Sequence, residues 1–495
     1  MTSRIPLAKQ GQPVSFQLYA RGGAPPYTWQ IYGLDGSGIQ WTPSGLLWGT
    51  ADAIGSYNLT VQVFDSNNNE AQTSLLLTVY DGGFLGAIDQ SFFGLNLHDN
   101  GAGWPSVSTD QNPFSAVRLW DCGTMWLSIE HSQGNFDWSR LDSFVSDAQA
   151  NGVKVLYEVG QTPAWASSDP NDSSCKYGLG ACDAPADWSY FSGYMTQLVQ
   201  RYSSQGSQAN GVIHMYELWN EPSVAREWNP KQPNAMSNFV TMTQIASRII
   251  RAYDPNAMIL APSGSVSWMK HYWRDGGPTD FDYVTTHEYD PTYAIPENMI
   301  GLHDLWMKVL SHFGIQSPIF NTEGSYGSAR LPDIGQKAYA ARYLLLNAGL
   351  RVASTIWYMW DNGASLWDSN LEELTNAGEA YRSAGNWLLG ANITSAGCED
   401  SSGNFVDISR CPRMDNHYHT TYLVNLARPG GYRAQAVWFV EIDSGNTNWQ
   451  ATSPYNVPDG FTQCQDLDGF PCLIANGAVT IGAAPILLEN PGTGP

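Results

Sequence analysis

The chain has 495 residues, enough for roughly two to four domains and a large buried core. Its 24 Lys+Arg against 46 Asp+Glu leave a net charge of −22, which repels phosphate backbones and anionic bilayers and so excludes nucleic acid and membrane as partners. Only 14% of residues are charged while 13% are aromatic, including 20 Trp; such rings fill cores, and they also suit a sugar-binding cleft, where they stack on the apolar faces of pyranoses.

Residues 1 to about 82 alternate apolar and polar positions, as in Val14-Ser15-Phe16-Gln17-Leu18 and Tyr57-Asn58-Leu59-Thr60-Val61-Gln62-Val63. Turn signals such as Gly22-Gly23-Ala24-Pro25-Pro26 separate the runs, which predicts a small antiparallel β-sandwich. The stretch Gly22 to Trp29, the turn Ser44-Gly45-Leu46 and the strand Leu77-Thr78-Val79 resemble bacterial immunoglobulin-like modules, most often spacers or adhesive domains, with Asp81-Gly82-Gly83 as the linker.

From residue 83 to 392, β-type runs alternate with amphipathic helical stretches. The strand candidates are Phe92–His98, Ala116–Asp121, Val153–Val159, His214–Glu221, Ala257–Ala261, Tyr283–Tyr289, Ile319–Glu323 and Thr355–Trp360. Helical segments such as Trp138–Asn151, Trp188–Tyr202 and Ala235–Ala252 lie between them. That count and spacing predict an α/β domain, a (β/α)8 TIM barrel, rather than a doubly wound sheet, since no Gly-x-Gly-x-x-Gly follows an early strand. From residue 393 to 495 helical signals vanish, and runs such as Ala434–Val440 and Ala478–Leu488 predict a C-terminal β-sandwich packed on the barrel.

Two strings carry the chemistry: His214-Met215-Tyr216-Glu217-Leu218-Trp219-Asn220-Glu221-Pro222 and Pro318-Ile319-Phe320-Asn321-Thr322-Glu323-Gly324. Each is an apolar run ending in a glutamate where turn residues begin. Active sites of TIM barrels lie at the C-terminal strand ends, and strands four and seven are nearly opposite in an eight-membered ring. Two facing carboxyls are the apparatus of glycosidic bond cleavage, one giving a proton and the other attacking or activating water. Glu217, Glu158 and Glu288 read as buried barrel residues. His417-Tyr418-His419 puts two imidazoles on one strand face without a third ligand, and Asp65–Glu70 lacks the central glycine of a calcium loop, so no metal or cofactor is expected.

Trp219-Asn220-Glu221-Pro222 on strand four, Thr322-Glu323 on strand seven and His287-Glu288-Tyr289 on strand six resemble the retaining (β/α)8 glycoside hydrolases of clan A. Within the clan the plan is most similar to glycoside hydrolase family 39, which includes β-xylosidases; cellulase-type family 5 enzymes share the same glutamate pair. The resemblance, over roughly residues 85 to 490, implies Glu221 as acid/base, with its pKa raised by the nearby carboxylate, and Glu323 as nucleophile. It implies that Asn220 bonds the sugar 2-hydroxyl, that Arg118 holds Glu323 ionised and that His287 and Tyr289 stand beside the nucleophile. Trp360 is then the floor of the subsite for the reacting sugar, and Trp165 and His98 line the cleft.

The expected function is a retaining β-glycosidase acting on plant or microbial polysaccharide of xylan or glucan type. The alternatives are an endo-acting glucanase or xylanase of family 5 type, and a non-catalytic carbohydrate-binding protein on the same scaffold. No apolar stretch approaches the roughly 20 residues that span a bilayer. Met1-Thr2-Ser3-Arg4 has no apolar signal core behind it, so the protein is cytoplasmic or a signal peptide has been removed. Cysteine placement favours the second, secreted reading. Cys175 and Cys182, Cys398 and Cys411, and Cys464 and Cys472 bracket short loops as expected of local disulfides, with Cys122 left alone.

Overall fold

The computed structural model describes residues 2, 5, 8–11, 13–20, 22–53, 55–80, 87–98, 114–205, 210–289, 295–361, 363–411 and 417–490. The expected linker Asp81-Gly82-Gly83 lies outside them. Cα packing divides the chain into two compact units, one of Met1–Gly83, Leu119–Thr286 and Met307–Ile319, the other of Phe84–Arg118, His287–Trp306 and Phe320–Pro495.

Eight strands form one parallel sheet: β1 Phe93–Leu97, β2 Ala116–Leu119, β3 Lys154–Glu158, β4 Met215–Glu217, β5 Met258–Leu260, β6 Val284–His287, β7 Ile319–Gly324 and β8 Ser354–Trp357. Their order is β5-β4-β3-β2-β1-β8-β7-β6. A parallel bridge between Leu260 and Tyr283, with the Ala261 N–H donating to the Tyr283 carbonyl at 2.9 Å, joins the first and last strands and closes a TIM barrel. The strands are near-continuous apolar or β-branched runs because both faces are covered; all six residues of β7 are buried.

Among the described residues, seven helices of nine residues or more lie between and after these strands: α1 Ser139–Ala150, α2 Trp188–Arg201, α3 Ala235–Tyr253, α4 Val266–Arg274, α5 Met299–His312, α6 Asp333–Gly349 and α7 Asn376–Leu388. Side-chain caps set three of their starts, Asp187 accepting from the Ser189 N–H at 2.7 Å, Ser265 from the Trp268 N–H at 3.4 Å and Thr375 from the Gly378 N–H at 3.1 Å.

The sequence runs the fourth strand to Glu221 and the eighth to Trp360. Both end earlier, at Glu217 and Trp357. The reason at β4 is backbone sign: Trp219 has φ 92° and Glu221 φ 42°, left-handed values that no strand ladder accommodates.

In the first unit, residues 8–80 form the N-terminal immunoglobulin-like sandwich. One sheet orders Ala8–Lys9, Glu70–Tyr80, Gly55–Phe64 and Thr28–Tyr32; the other orders Pro13–Gln17, Leu46–Thr50 and Ile39–Trp41. Between them are buried Trp29, Ile31, Leu47, Leu59, Val61 and Leu77.

In the second unit, strands from Asn392 to Glu489 build the C-terminal sandwich, centred on the long antiparallel pair His417–Arg428 and Tyr432–Asp443. Helix α6 docks on it through Arg342, which is fully buried and donates to the carbonyls of Ala483 at 2.7 Å and Phe439 at 3.2 Å. Such a cation is tolerable only with partners; Glu297 lies 3.5 Å away and itself accepts from the Trp438 indole at 2.7 Å.

The three expected cysteine pairs are disulfides, with Cα separations of 5.2, 5.9 and 5.2 Å, and Cys122 is free and buried. Among the described residues no helix is long and apolar enough to cross a membrane.

Candidate active site

In the second unit, three residues singled out from sequence converge on the carboxylate of a fourth, Glu323. Arg118, fully buried on β2, donates through Nη1 to Glu323 Oε2 at 2.8 Å. The Tyr289 hydroxyl donates to Oε1 at 2.7 Å, and His287 Nδ1 lies 3.9 Å from Oε2. Both oxygens of Glu323 are thus oriented, and one fixed positive charge stands beside them. Charge-assisted bonds of this kind hold geometry more firmly than neutral ones.

The local chain explains the placement. Side chains alternate along a strand, so His287 and Tyr289 project to one side of the β6 end while Glu288 turns away and is buried. The Glu288 N–H donates to the Glu323 carbonyl at 3.0 Å, tying the ends of β6 and β7 together. After Glu323 the chain requires glycine: a Cβ at Gly324 would meet the Tyr343 side chain at 2.7 Å and the Glu288 carbonyl at 3.0 Å.

The same unit holds His98 and Trp360. His98 Nε2 sits 3.3 Å from the Tyr358 hydroxyl, and its N–H donates to Asp361 Oδ1 at 3.4 Å. Trp360 is buried, stacks on Trp367 with ring centroids 5.5 Å apart, and donates its backbone N–H to the Asn96 carbonyl at 3.0 Å. Its indole N–H has no protein partner in the described structure, which leaves a donor for something else. Tyr358 and Asp361 were not anticipated; an aromatic two residues before Trp360 was the available signal.

In the first unit, Glu221 sits in the turn after β4. Its N–H donates to Ser263 Oγ at 3.1 Å, and the Val224 N–H donates to its carbonyl at 2.8 Å. Asn220 is buried beside it. Trp219 is anchored by its indole N–H to the Glu227 carbonyl at 3.0 Å and packs edge-on against Trp228. Trp165 is half-buried among aromatic rings, its indole N–H donating to the Glu130 carbonyl at 2.8 Å, with Trp126 and Tyr190 against it.

Glu227 was missed by sequence reasoning, because nothing in Ser223-Val224-Ala225-Arg226-Glu227 carries a pattern. Its buried carboxylate pairs with Lys176 Nζ at 3.0 Å and accepts from Gln161 Nε2 at 3.0 Å. Burial pushes its pKa up to about 7, against the pull of Lys176 and with added repulsion from Glu221 and Asp121. A raised carboxyl pKa means the folded state binds the extra proton, so this contribution to stability is present at low pH and is lost as pH rises towards 7. Glu227→Gln is therefore expected to flatten the fall in stability between about pH 5 and 7, by up to about 1.4 kcal/mol per pH unit. Denaturant melts of both proteins at several pH values check this; parallel pH profiles reject it.

One cluster of possible metal ligands among the described residues is Asp172, Cys175, Cys182 and Asp183, whose ligand atoms lie within 4.8 Å of one another. Both sulfurs are spent in the disulfide, and the Asn229 amide donates to both carboxylates, at 3.0 and 2.9 Å, so the group is already satisfied without an ion.

A family model described as cellulase (glycosyl hydrolase family 5) matches residues 108–364, more than half of the chain, and one named "Putative Ig domain" matches residues 2–80. A beta-xylosidase of Geobacillus stearothermophilus is 21% identical over 160 residues, 31% of each chain, so the chain spans about a third of that curated relative. Among solved structures, a family 39 glycoside hydrolase from the gut symbiont Bacteroides cellulosilyticus WH2 has TM-score 0.59 at 16% identity, over 99% of this chain and 100% of that one. A GH39 beta-xylosidase from Caulobacter crescentus has TM-score 0.53 at 15% identity, over 82% and 97%. A GH30 endoxylanase from Clostridium papyrosolvens C71 has TM-score 0.51 at 15% identity, over 83% and 98%. These structural likenesses concern the fold.

Proposed function

Because the chain belongs to the cellulase family (glycosyl hydrolase family 5), a clan A family of glycoside hydrolases with carbohydrate substrates, we propose that it is a retaining β-glycosidase acting on β-linked xylan- or glucan-type chains. The observation that carries this reading is the grip of Arg118 and Tyr289 on the Glu323 carboxylate at the C-terminal end of β7. A carboxylate oriented at both oxygens is suited to attack an anomeric carbon.

In this mechanism Glu221 protonates the glycosidic oxygen as the C–O bond breaks, and Glu323 bonds to the anomeric carbon. Glu221 then takes a proton from water, which attacks the same carbon and releases Glu323. Asn220 bonds the sugar 2-hydroxyl, an interaction that strengthens as the ring gains oxocarbenium character. Arg118, His287 and Tyr289 keep Glu323 in place. Trp360 forms the floor under the reacting ring, and His98 and Trp165 line the cleft. The two carboxyl groups must stand about 5–5.5 Å apart in the substrate complex.

β-Xylosidic linkages are favoured by the likeness to the Geobacillus beta-xylosidase, β-glucosidic ones by the cellulase family. Three disulfides support an exported protein. A panel of aryl β-xylosides, β-glucosides and their polymers tests the reading, with the first-formed sugar followed by NMR. Turnover should give a β-configured product before mutarotation. An α-configured first product, or no turnover on any member, overturns it; the sizes of polymer products decide exo or endo action.

A further inference from the structure

The outer face of the four-stranded sheet in the immunoglobulin-like module has a chemistry its core does not require. Along Thr28–Tyr32 the burial alternates, with Trp29 and Ile31 inward and Thr28, Gln30 and Tyr32 exposed. Register extends that face across the neighbouring strands. Gln30 pairs with Gln62 and Gln62 with Gln72, a row of three amides; Tyr32 pairs with Thr60 and Thr60 with Ser74, a row of hydroxyls. The next row pairs Asn58 with Leu76, which is 51% exposed. Tyr32 is 54% exposed at the sheet edge.

The rows are already organised. Tyr32 donates to Gln30 Oε1 at 2.8 Å, and Gln62 Nε2 donates to Gln72 Oε1 at 3.1 Å and Glu70 Oε1 at 2.7 Å. Apart from Tyr32 these rows hold no ionisable side chain, in a chain of net charge −22; Glu70, paired with Phe64, adjoins them at the end of the face. Strands about 4.8 Å apart and rows about 7 Å apart give a flat lattice of donors and acceptors flanked by an aromatic ring. Apart from Glu70, these rows offer a charged partner nothing to pair with, whereas a chain of hydroxyls and apolar C–H faces finds donors, acceptors and a ring.

We infer that this sheet face docks an uncharged β-linked polysaccharide chain, holding the enzyme on the polymer it cleaves. The inference rests on the proposed function for the identity of the polymer. The test is a depletion assay of the full chain on microcrystalline cellulose and insoluble xylan, with kcat/KM on a soluble aryl glycoside measured in parallel. Tyr32→Ala is expected to weaken binding about tenfold, as loss of one stacked ring does. Gln62→Glu, which adds a charge without removing bulk, should weaken it comparably. Both variants should keep wild-type activity on the soluble substrate, and Glu323→Gln should keep wild-type binding. Wild type that binds neither polymer, or face variants that bind as wild type does, overturns the inference. Concentration-dependent dimerisation lost in Tyr32→Ala would assign the face to a second copy and also overturn it. Binding that responds to the face variants in a protein that hydrolyses no aryl glycoside sinks the catalytic reading and leaves this one standing.

Discussion

Glu323→Ala should lower kcat on an aryl β-glycoside by at least about 10^4-fold, because the covalent step has no other nucleophile to use. The buried pair with Arg118 adds a second consequence. Removing the carboxylate strands a guanidinium with no solvent exposure, and breaking such a pair costs about 3 kcal/mol of stability. Glu323→Gln keeps acceptor and donor atoms in the same place, so it should be as inactive as the alanine variant while melting higher. Azide separates chemistry from folding: in the alanine variant it fits the vacated space, attacks from the nucleophile's face and gives an α-glycosyl azide. Near-normal turnover in either variant, or a β-glycosyl azide from Glu323→Ala, removes Glu323 from that role.

The barrel and half of the site were legible because they depend on local periodicity. Apolar runs in β1 to β8 are imposed by burial on both faces, so their number survives in the sequence. Arg118 stood out as a cation between Val117 and Leu119, and the alternation of a strand put His287 and Tyr289 on one side. What failed depends on long-range anchors. The strand through His214–Glu221 stops at Glu217 because the turn is pinned by Ser263, forty-two residues on, and by the Trp219 bond to Glu227. The Lys176–Glu227 pair arises from a disulfide-bounded loop meeting the β4 turn, a juxtaposition no spacing announces. Trp360 was placed on a strand, whereas its position is set by stacking on Trp367.

That left-handed turn is what presents Glu221, and it makes the second prediction specific. An acid catalyst matters in proportion to how poorly the leaving group departs unaided. Glu221→Ala should therefore cost about 10^2- to 10^4-fold in kcat/KM on an unactivated disaccharide. On a dinitrophenyl glycoside, whose aglycone leaves as a stable anion, the first step should be nearly spared. With that substrate the slow step becomes hydrolysis of the glycosyl-enzyme, because no base activates water, and a burst of phenolate should precede a low steady rate. Azide needs no base, so it should restore turnover and give a β-glycosyl azide, the opposite anomer to that from Glu323→Ala. The basic limb of the kcat/KM profile, set by loss of the acid's proton, should vanish in this variant. Equal losses across all leaving groups with an unchanged pH profile would show that Glu221 positions the substrate rather than transferring its proton.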